Sequence, residues 1–512
     1  MKKFVVACLA MISMVWTHSA LGSGPVLHDI SALNQKLQKN NATWYANDNW
    51  LNHLSKSELK KMMGLKGTPP ADVQFLAPAK LAAKALPSSL DWRQHLGKNW
   101  VSPILNQGNC GSCVAFAAIG VLETQMNIAS AFPQLNMRMS PQNLFACGGG
   151  YCDYGWYPGA AAHRLMTDGV PDEACLPYTS GVTGEDVACE SSCGDTVKRS
   201  RKIANYGSPT RSLTSVDEVK LALQHGPVMT TMTVYSDFMT YAGGVYKHTV
   251  GESLGGHAVS IVGYDDVTQS YIIRNSWSEE WGEKGFAHIA YSDTSGIGNS
   301  TWGFDIPSAQ GAISVVAPRD YSFVSGEVPM EIQSTYTANS LLQMKVFAEG
   351  ALPVWQENCV PQAQSCRALL NTASLKDGRY EFEAVAIGSK GEALGSSGRQ
   401  FFYVVNQKPT LEVAFSGAPG TDLSKDLKGR VEFSVKTKTS SVPMSSLQIF
   451  IKASTGKTLV RTAELVLPSM VMGWRTNLVE NGNYEIWFVG HLKTSNIDVS
   501  VESAHQTVRV SN

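Results

Sequence analysis

Cys113 stands at a point in the sequence where a thiol could act as a nucleophile. It follows the turn-forming run 108–112, and apolar residues recur after it at roughly helical spacing as far as Met126. The pattern predicts a helix that begins at the thiol. The positive end of the helix dipole, together with a nearby imidazolium, lowers a thiol pKa from its free value of about 8.5. Cys113 is therefore a candidate nucleophile, although a lone cysteine in an exported chain is usually half of a disulfide.

A nucleophilic thiolate needs a base and a group that orients the base, and the sequence offers both downstream. His257 follows two glycines at the start of an apolar run, and Asn275 ends a second run of strand character. His257 lies 144 residues after Cys113, and Asn275 lies 162 residues after it. The first separation falls within the roughly 130–150 residues of papain-type peptidases, and the second lies slightly beyond it. A single histidine in an apolar run is usually a core residue, but the ordered combination predicts a Cys-His-Asn triad.

In these segments the sequence resembles the papain superfamily of cysteine peptidases, most of all its cathepsin B-like branch, over about residues 29–305. The resemblance implies that the side-chain amide of Gln107 and the backbone N–H of Cys113 form an oxyanion hole. It also implies that the two tryptophans of segment 275–282 shield the hydrogen bond between histidine and asparagine. Two positions depart from the family pattern: Val114, where an aromatic residue is usual, and Ser278, where glycine is common.

The same resemblance assigns substrate binding to Gly155, Trp277 and Ser300. Cys152-Asp153-Tyr154-Gly155 is similar to the family's Cys-Asn-Gly-Gly, whose second glycine lets a substrate backbone approach closely enough to pair. Tyr154 replaces the first glycine and is expected to narrow the S3 region. Ser300 falls roughly where the family has the floor of the S2 pocket.

Length, charge and the N-terminus indicate an exported protein of several domains. The 512 residues suffice for about three domains. A net charge of −1 with 17% charged residues offers no basic surface for nucleic acid. Two lysines, the apolar run 4–12 and the small residues Ala20 and Gly22 predict a signal peptide over residues 1–22. No later apolar run reaches the 18 residues of a membrane span. The expected location is extracellular or periplasmic, or lysosomal or vacuolar in a eukaryote.

The cysteine count agrees with an oxidising compartment. Of ten cysteines, Cys8 belongs to the signal peptide and Cys113 is the free thiol, which leaves eight for four disulfides. The resemblance implies three pairs and leaves the last two cysteines as a local loop: Cys110–Cys152, Cys147–Cys189, Cys175–Cys193 and Cys359–Cys366. A metal site built on these cysteines would lack histidines at ligand spacing, and the predicted chemistry requires no metal and no cofactor.

Residues 23–85 resemble the short propeptide of the cathepsin B-like branch. The spacing predicts an amphipathic helix over 29–37 and a second helix opened by a capping box of Ser55 and Glu58. The resemblance implies that this segment inhibits the enzyme and is removed near Lys84, before a mature start at 86–93. An ordinary helical subdomain is the alternative interpretation.

The predicted fold class is α+β, with a two-lobed papain-like peptidase over residues 86–316. Helical patterns dominate it to about residue 170, strand patterns dominate afterwards, and the cleft is expected between the lobes. Alternating strands and turns then predict two all-β sandwiches over 317–407 and 408–512, in which the pattern at 377–384 recurs at 481–488. They resemble Ig-like or fibronectin-like modules only in pattern. They could be spacers, accessories that bind a surface or carbohydrate ligand, or modules without a separate role.

The sequence therefore predicts a secreted cysteine endopeptidase that acts on protein or peptide substrates. Cathepsin B carries a long occluding loop, with a paired histidine that binds a terminal carboxylate. Here the corresponding segment 176–188 is short, has no His, Lys or Arg, and contains Glu185 and Asp186, so the cleft should be open at both ends. Two alternatives remain: an acyl transferase or transpeptidase with the same residues, and a catalytically silent binding protein that acts through its β-sandwiches.

Overall fold

The computed structural model describes most of the chain in seventeen ranges: 27–66, 86–133, 135, 137–207, 215–306, 312–336, 340–348, 352–359, 364–391, 393–418, 421–428, 430–439, 442–456, 458–463, 469–476, 479–494 and 496–512. The predicted signal peptide and the predicted processing site near Lys84 lie outside these residues. Within the described ranges, no helix has both the length and the apolar character needed to cross a membrane.

The N-terminal segment, residues 27–66, contains helix α1 (Ile30–Lys39), strand β1 (Trp44–Ala46) and helix α2 (Lys56–Lys61). The Asp29 side chain caps α1, and the predicted capping box of Ser55 and Glu58 opens α2. Both helices pack apolar side chains into the core of the central part. Strand β1 was not predicted from the sequence. It pairs antiparallel with β5 (Tyr241–Tyr246) of the central sheet, so the segment adds an outermost strand to that sheet.

The thiol lies at the start of α3 (Cys113–Ala129), the longest helix of the described ranges, as predicted. Fourteen of its 17 residues are buried, so α3 is a core helix. The other helices of the central part, residues 86–306, are α4 (Pro141–Gly148), α5 (Pro158–Thr167), α6 (Ser180–Thr183), α7 (Thr196–Arg199) and α8 (Val216–Leu223).

The strands of the central part are β2 (Ser89–Asp91), β3 (Asn205–Gly207), β4 (Val228–Tyr235), β5 (Tyr241–Tyr246), β6 (Ser253–Asp265), β7 (Ser270–Arg274), β8 (Phe286–Ala290) and β9 (Thr301–Asp305). They form one sheet in the order β1-β5-β8-β7-β6-β4-β9-β3, with β2 also paired to β6. One hydrophobic core surrounds α3, α4 and α5, and a second lies within the sheet. Helix α3 packs against β6 and β4, so the thiol lies beside the sheet.

The first C-terminal β unit comprises β10 (Ile313–Ala317), β11 (Phe323–Val324), β12 (Glu327–Ser334), β13 (Ser340–Phe347), β14 (Pro353–Asn358), β15 (Ser365–Asn371), β16 (Gly378–Gly388) and β17 (Ala393–Val404). Two sheets, β10-β12-β15 and β11-β17-β16-β13-β14, enclose a common core. Because β10 pairs with β12, this unit begins by Ile313, before the predicted boundary at residue 317.

The second C-terminal β unit comprises β18 (Leu411–Gly417), β19 (Arg430–Thr439), β20 (Ser446–Ala453), β21 (Thr458–Ala463), β22 (Ser469–Arg475), β23 (Gly482–Lys493), β24 (Asp498–Glu502) and β25 (Gln506–Val510). One sheet is β18-β19-β22, and the other runs β21-β20-β23-β24 with β25 also on β23. Their shared core also packs against Val182 of α6, so this unit contacts the central part.

The two C-terminal units repeat the same hydrogen bonds where β16 and β23 begin. The hydroxyl of Tyr380 donates to the carbonyl of Lys376 at 2.9 Å, and that of Tyr484 donates to the carbonyl of Glu480 at 2.7 Å. A tyrosine that bonds back to the chain just upstream is the tyrosine corner of immunoglobulin-type sandwiches. In both units a threonine hydroxyl also donates to the side-chain oxygen of an asparagine that follows the last strand, at 2.7 Å: Thr372 to Asn406 and Thr476 to Asn512. The echo in the sequence therefore marks a repeated structural corner.

Candidate active site

The Cys113 thiol is fully buried at the first residue of α3, and it is the free cysteine among the described residues. The structure joins the other eight described cysteines in four disulfides. Three are the pairs that the family resemblance implies, and the fourth is the pair that it leaves over: Cys110–Cys152, Cys147–Cys189, Cys175–Cys193 and Cys359–Cys366. The first of these disulfides fixes the loop that leads directly into Cys113. The thiol therefore lies on a rigid turn at the positive end of a helix dipole.

Neighbouring antiparallel strands bring His257 and Asn275 together. His257 lies in β6, and Asn275 directly follows β7, the strand paired with β6. Nε2 of His257 and Oδ1 of Asn275 are 2.9 Å apart. The backbone N–H of Ser276 also donates to Oδ1 at 2.8 Å, which identifies this atom as the amide oxygen. Nε2 therefore carries the hydrogen.

The second nitrogen of the imidazole, Nδ1, is left as the basic atom. It is buried and has no hydrogen-bond partner in the described part of the chain. The Trp277 ring stacks on the imidazole with centroids 4.7 Å apart, and Trp281 packs edge-on against Trp277 at 5.1 Å. These two rings exclude water from the bond to Asn275, and the ring of His257 cannot turn without displacing Trp277.

Gln107 is fully buried, and every polar group of its side chain is used. Its Oε1 accepts a 2.8 Å hydrogen bond from the hydroxyl of Ser276, which forces Nε2 to face the other way. Nε2 donates to the carbonyls of Cys110 and Met62, both at 2.9 Å. The amide therefore already binds a peptide carbonyl next to the thiol.

The carbonyl of Met62 belongs to the N-terminal segment, which passes directly through the site. Trp156 N–H donates to Gly64 O at 2.8 Å, and Lys66 N–H donates to Trp156 O at 3.1 Å. On the other side, the backbone N–H of Leu65 donates to the carbonyl of Gly256 at 3.1 Å. The segment therefore pairs with both walls of the cleft as an extended strand would.

Two glycines allow this close approach. A Cβ atom on Gly64 would collide with the carbonyl of Gly111, and a Cβ atom on Gly155 would collide with the carbonyl of Gly64. Gly155 also has a φ of 78°, which glycine adopts without strain. The backbone that lies close to Gly155 is that of the N-terminal segment, and its hydrogen bonds are made to the next residue, Trp156, so substrate binding at Gly155 stays a prediction.

A match to the papain family cysteine protease model covers residues 86–302. "Cathepsin B-like CP3" of Giardia intestinalis is 33% identical over 246 residues, which span 46% of this chain and 80% of the relative. The chain belongs to the papain family and resembles its cathepsin B-like branch. "Cathepsin B-like CP2" of the same organism is 32% identical, over 46% of this chain and 79% of the relative. Among solved structures, "proCathepsin B S9 from Trypanosoma congolense" is 22% identical with a TM-score of 0.47, and the match covers 55% of this chain and 98% of that one.

Burial keeps the thiol and the imidazole of this papain-family site uncharged. It raises the pKa of Cys113 to about 11, against the opposing effect of backbone hydrogen bonds from Ala258 and Gly64. It lowers the pKa of His257 to about 4, although the hydrogen bond to Asn275 favours the charged ring. A neutral thiol and a neutral imidazole are therefore favoured in this form of the chain, in which the N-terminal segment contacts the thiol through Gly64.

Two other side chains matter to the assignment of the site. Ser276, which sequence reasoning did not single out, orients the Gln107 amide, and the only signal for it was its place in the Asn-Ser-Trp tripeptide. Ser300 directly precedes β9. Its carbonyl accepts a 3.1 Å hydrogen bond from the backbone N–H of Thr231 and a 3.0 Å hydrogen bond from the hydroxyl of Thr230, both in β4. None of its hydrogen bonds within the described ranges reaches the triad or the N-terminal segment, so its predicted place in S2 stays a prediction.

Proposed function

We propose that the chain is the precursor of a secreted cysteine endopeptidase that uses Cys113, His257 and Asn275 as its catalytic triad. One observation carries the proposal: the Gln107 amide binds a peptide carbonyl at 2.9 Å beside the buried thiol. A substrate carbonyl in that position would have its oxygen on an amide donor and its carbon near Cys113. Amide donors at this distance are what an acyl-transfer transition state requires.

The residues then act as follows. The Cys113 thiolate attacks the scissile carbonyl carbon, and the resulting oxyanion accepts hydrogen bonds from Gln107 Nε2 and the backbone N–H of Cys113. The protonated Nδ1 of His257 gives its proton to the leaving amine as the C–N bond breaks, which leaves a thioester. Nδ1 next removes a proton from water, and the hydroxide attacks the thioester and releases the carboxylic acid and the thiolate. Asn275 keeps the ring oriented throughout.

The N-terminal segment would act as an inhibitory propeptide. Met62 O occupies the Gln107 donor, and residues 64–66 fill the cleft with backbone hydrogen bonds. Lys61 fastens the segment further through an ion pair with Asp153 at 2.8 Å and a hydrogen bond to Gly184 O at 3.0 Å. Removal of the segment would free the Gln107 donor and expose the thiol and the imidazole to water, which favours their charged forms.

The described contacts also support endopeptidase action and accessory β-sandwich modules. Segment 176–188 folds back on the central part through α6 and through Asp186, which accepts the N–H of Cys152 at 2.6 Å.

The tyrosine corners of the C-terminal units support Ig-like modules, the first of which we place from β10 onward. Signal-directed export follows from the predicted signal peptide and agrees with four disulfides.

The test of the proposal is Cys113→Ala in the full chain. The variant should fold like the wild type but neither hydrolyse a fluorogenic peptide nor process its own N-terminus. Once its N-terminal segment has been removed, the wild type should incorporate one equivalent of an epoxide inhibitor at Cys113, as located by peptide mass mapping. Product analysis with an added peptide amine separates hydrolysis from transfer. Hydrolysis by Cys113→Ala at the wild-type rate would refute the proposed nucleophile.

A further inference from the structure

Three consecutive residues of the central part are each held by the first C-terminal β unit. The backbone N–H of Arg399 donates to Asp172 at 3.3 Å, the Tyr321 hydroxyl donates to Glu173 at 2.9 Å, and Arg379 donates to the carbonyl of Ala174 at 2.6 Å. The acceptors are the side chains of Asp172 and Glu173 and the backbone carbonyl of Ala174. The β unit therefore forms a hydrogen bond with every residue of segment 172–174.

A buried network of charges fixes this interface. The Arg199 guanidinium pairs with Asp172 and, at 3.3 Å, with Glu381 of the β unit. Arg399 of the β unit pairs with the same Glu381 at 3.0 Å and reaches back to Asp195 at 3.7 Å. Two of these ion pairs, Arg199–Glu381 and Arg399–Asp195, cross between the two parts, and Arg199 is 8% exposed, so separating the parts would break both pairs and expose the Arg199 guanidinium to water. The β unit is thus held against the central part by ion pairs as well as by hydrogen bonds.

Segment 172–174 is connected to Tyr178, which contacts the loop that carries the proposed oxyanion donors. Glu173 Oε1 accepts both the Tyr321 hydroxyl and the backbone N–H of Tyr178, each at 2.9 Å. The hydroxyl of Tyr178 donates its one hydrogen to the carbonyl of Gln107 at 2.7 Å. It also lies 2.6 Å from the hydroxyl of Ser112, so in that pair Ser112 donates and Tyr178 accepts. Burial raises the pKa of Tyr178, so its hydroxyl remains a donor throughout the working range of pH.

Tyr178 therefore bridges the two stretches of backbone that carry the oxyanion donors. Gln107 supplies the side-chain amide, and Ser112 directly precedes the N–H of Cys113. These donors stabilise an oxyanion only when they lie about 2.7–3.1 Å from it, so a small displacement of either weakens acyl transfer. The Phe116 ring packs edge-on against Tyr178 with centroids 4.7 Å apart, which holds the phenol in place.

We infer that Tyr178, Glu173 and Tyr321 are positioning residues for the oxyanion hole. The first C-terminal β unit would then be part of the catalytic machinery, because it supplies Tyr321 and holds segment 172–174. The inference rests on the proposed function, since it takes Gln107 as an oxyanion donor. A positioning role can be told from a purely structural role. Loss of a positioning residue should slow acyl transfer but leave the reactivity of the Cys113 thiol unchanged.

The test uses the full chain after removal of the N-terminal segment, with Tyr321→Phe and Tyr178→Phe as variants and Tyr380→Phe as the matched control. The control removes a hydroxyl of the same unit whose partner, Lys376 O, lies within that unit. For each protein, kcat and KM are measured per active site titrated with the epoxide inhibitor. The rate of Cys113 alkylation by chloroacetamide, a reaction that forms no oxyanion, is measured beside them.

We expect kcat to fall about tenfold in Tyr178→Phe and several-fold in Tyr321→Phe, with KM and the alkylation rate unchanged. Glu173→Gln keeps an oxygen acceptor and should retain most of the activity, whereas Glu173→Ala should not. An unchanged kcat in Tyr321→Phe, an equal loss in Tyr380→Phe, or a parallel fall in alkylation would overturn the inference. A wild-type chain that alkylates at Cys113 but hydrolyses no peptide would instead refute the proposed function and the inference with it.

Discussion

At the scale of single residues, the chemistry depends on which charges the surroundings permit. Cys113 and His257 are both fully buried, and burial moves their pKa values apart, to about 11 and about 4. At neutral pH both groups are therefore neutral in this form of the chain. The neutral form suits a precursor, because the thiol is a poor nucleophile until it ionises.

The lowered pKa of His257 predicts acid sensitivity of the precursor. A histidine whose folded pKa lies near 4 and whose unfolded pKa is about 6.5 contributes stability above pH 6.5, and that stability is lost as the pH falls. The loss is about 1.4 kcal/mol per pH unit between these values. In the Cys113→Ala background, which prevents self-processing, the melting temperature should drop from pH 7 to pH 5. Adding His257→Gln should reduce that drop, and an equal drop in both proteins would contradict the assignment.

At the scale of elements, the N-terminal segment combines a strand with an extended stretch. Strand β1 pairs with β5, with Trp44 opposite Gly244, and residues 64–66 pair with Trp156 and Gly256. The segment therefore holds the sheet at one end and fills the cleft at the other. The inhibition proposed for it should depend on the close approach of Gly64 to the backbone of Gly111.

Gly64→Ala in the full chain should weaken this closure. The added methyl group collides with the Gly111 backbone, which cannot yield as a flexible side chain could. Cys113 should then be alkylated by chloroacetamide at least about tenfold faster than in the wild type at pH 7, a rate ratio that corresponds to about 1.4 kcal/mol of lost closure. Lys39→Ala, an exposed change on α1, is the control, and intact mass shows that the chain is uncut. Equal alkylation rates in the two variants would show that Gly64 does not set the closure.

At the scale of the whole molecule, both C-terminal units contact the peptidase region. The first grips segment 172–174, and the core of the second packs against Val182 of α6. Segment 176–188 of the peptidase region therefore contacts the second unit. Glu185, which is exposed on it, would repel a terminal carboxylate.

We expect the processed enzyme to cleave internal bonds of extended peptide chains. When a long peptide is digested by the processed enzyme, mass spectrometry should reveal internal cuts from the earliest time points, with amidated and free C-termini giving the same sites. Blocking the terminal carboxylate provides the control, since only an exopeptidase depends on it. Sequential loss of C-terminal dipeptides without internal cuts would show that another segment, such as the second unit, closes the cleft.

The sequence by itself identified the features that depend on local order along the chain. The turn before Cys113 and the apolar run after it predicted the helix that begins at the thiol, and Ser55 and Glu58 predicted their capping box. The two apolar runs and their distance from Cys113 pointed to His257 and Asn275, and the resemblance added Gln107, because motif residues keep their neighbours in sequence. The recurring pattern at 377–384 and 481–488 likewise marked the two tyrosine corners.

Only the tertiary structure decided which distant groups meet. The pairing of Trp44 with Gly244, the bond from Ser276 to Gln107 and the bond from Tyr321 to Glu173 each join residues more than 140 positions apart. No periodicity encodes such contacts, since a hydroxyl or an edge strand looks the same in sequence whatever it faces. Packing of the sheet against α3, and of the β unit against segment 172–174, brings these groups within hydrogen-bonding distance. Burial at those contacts then sets the pKa values and fixes the donors, which is why the charge state of the site could not be predicted from residue types.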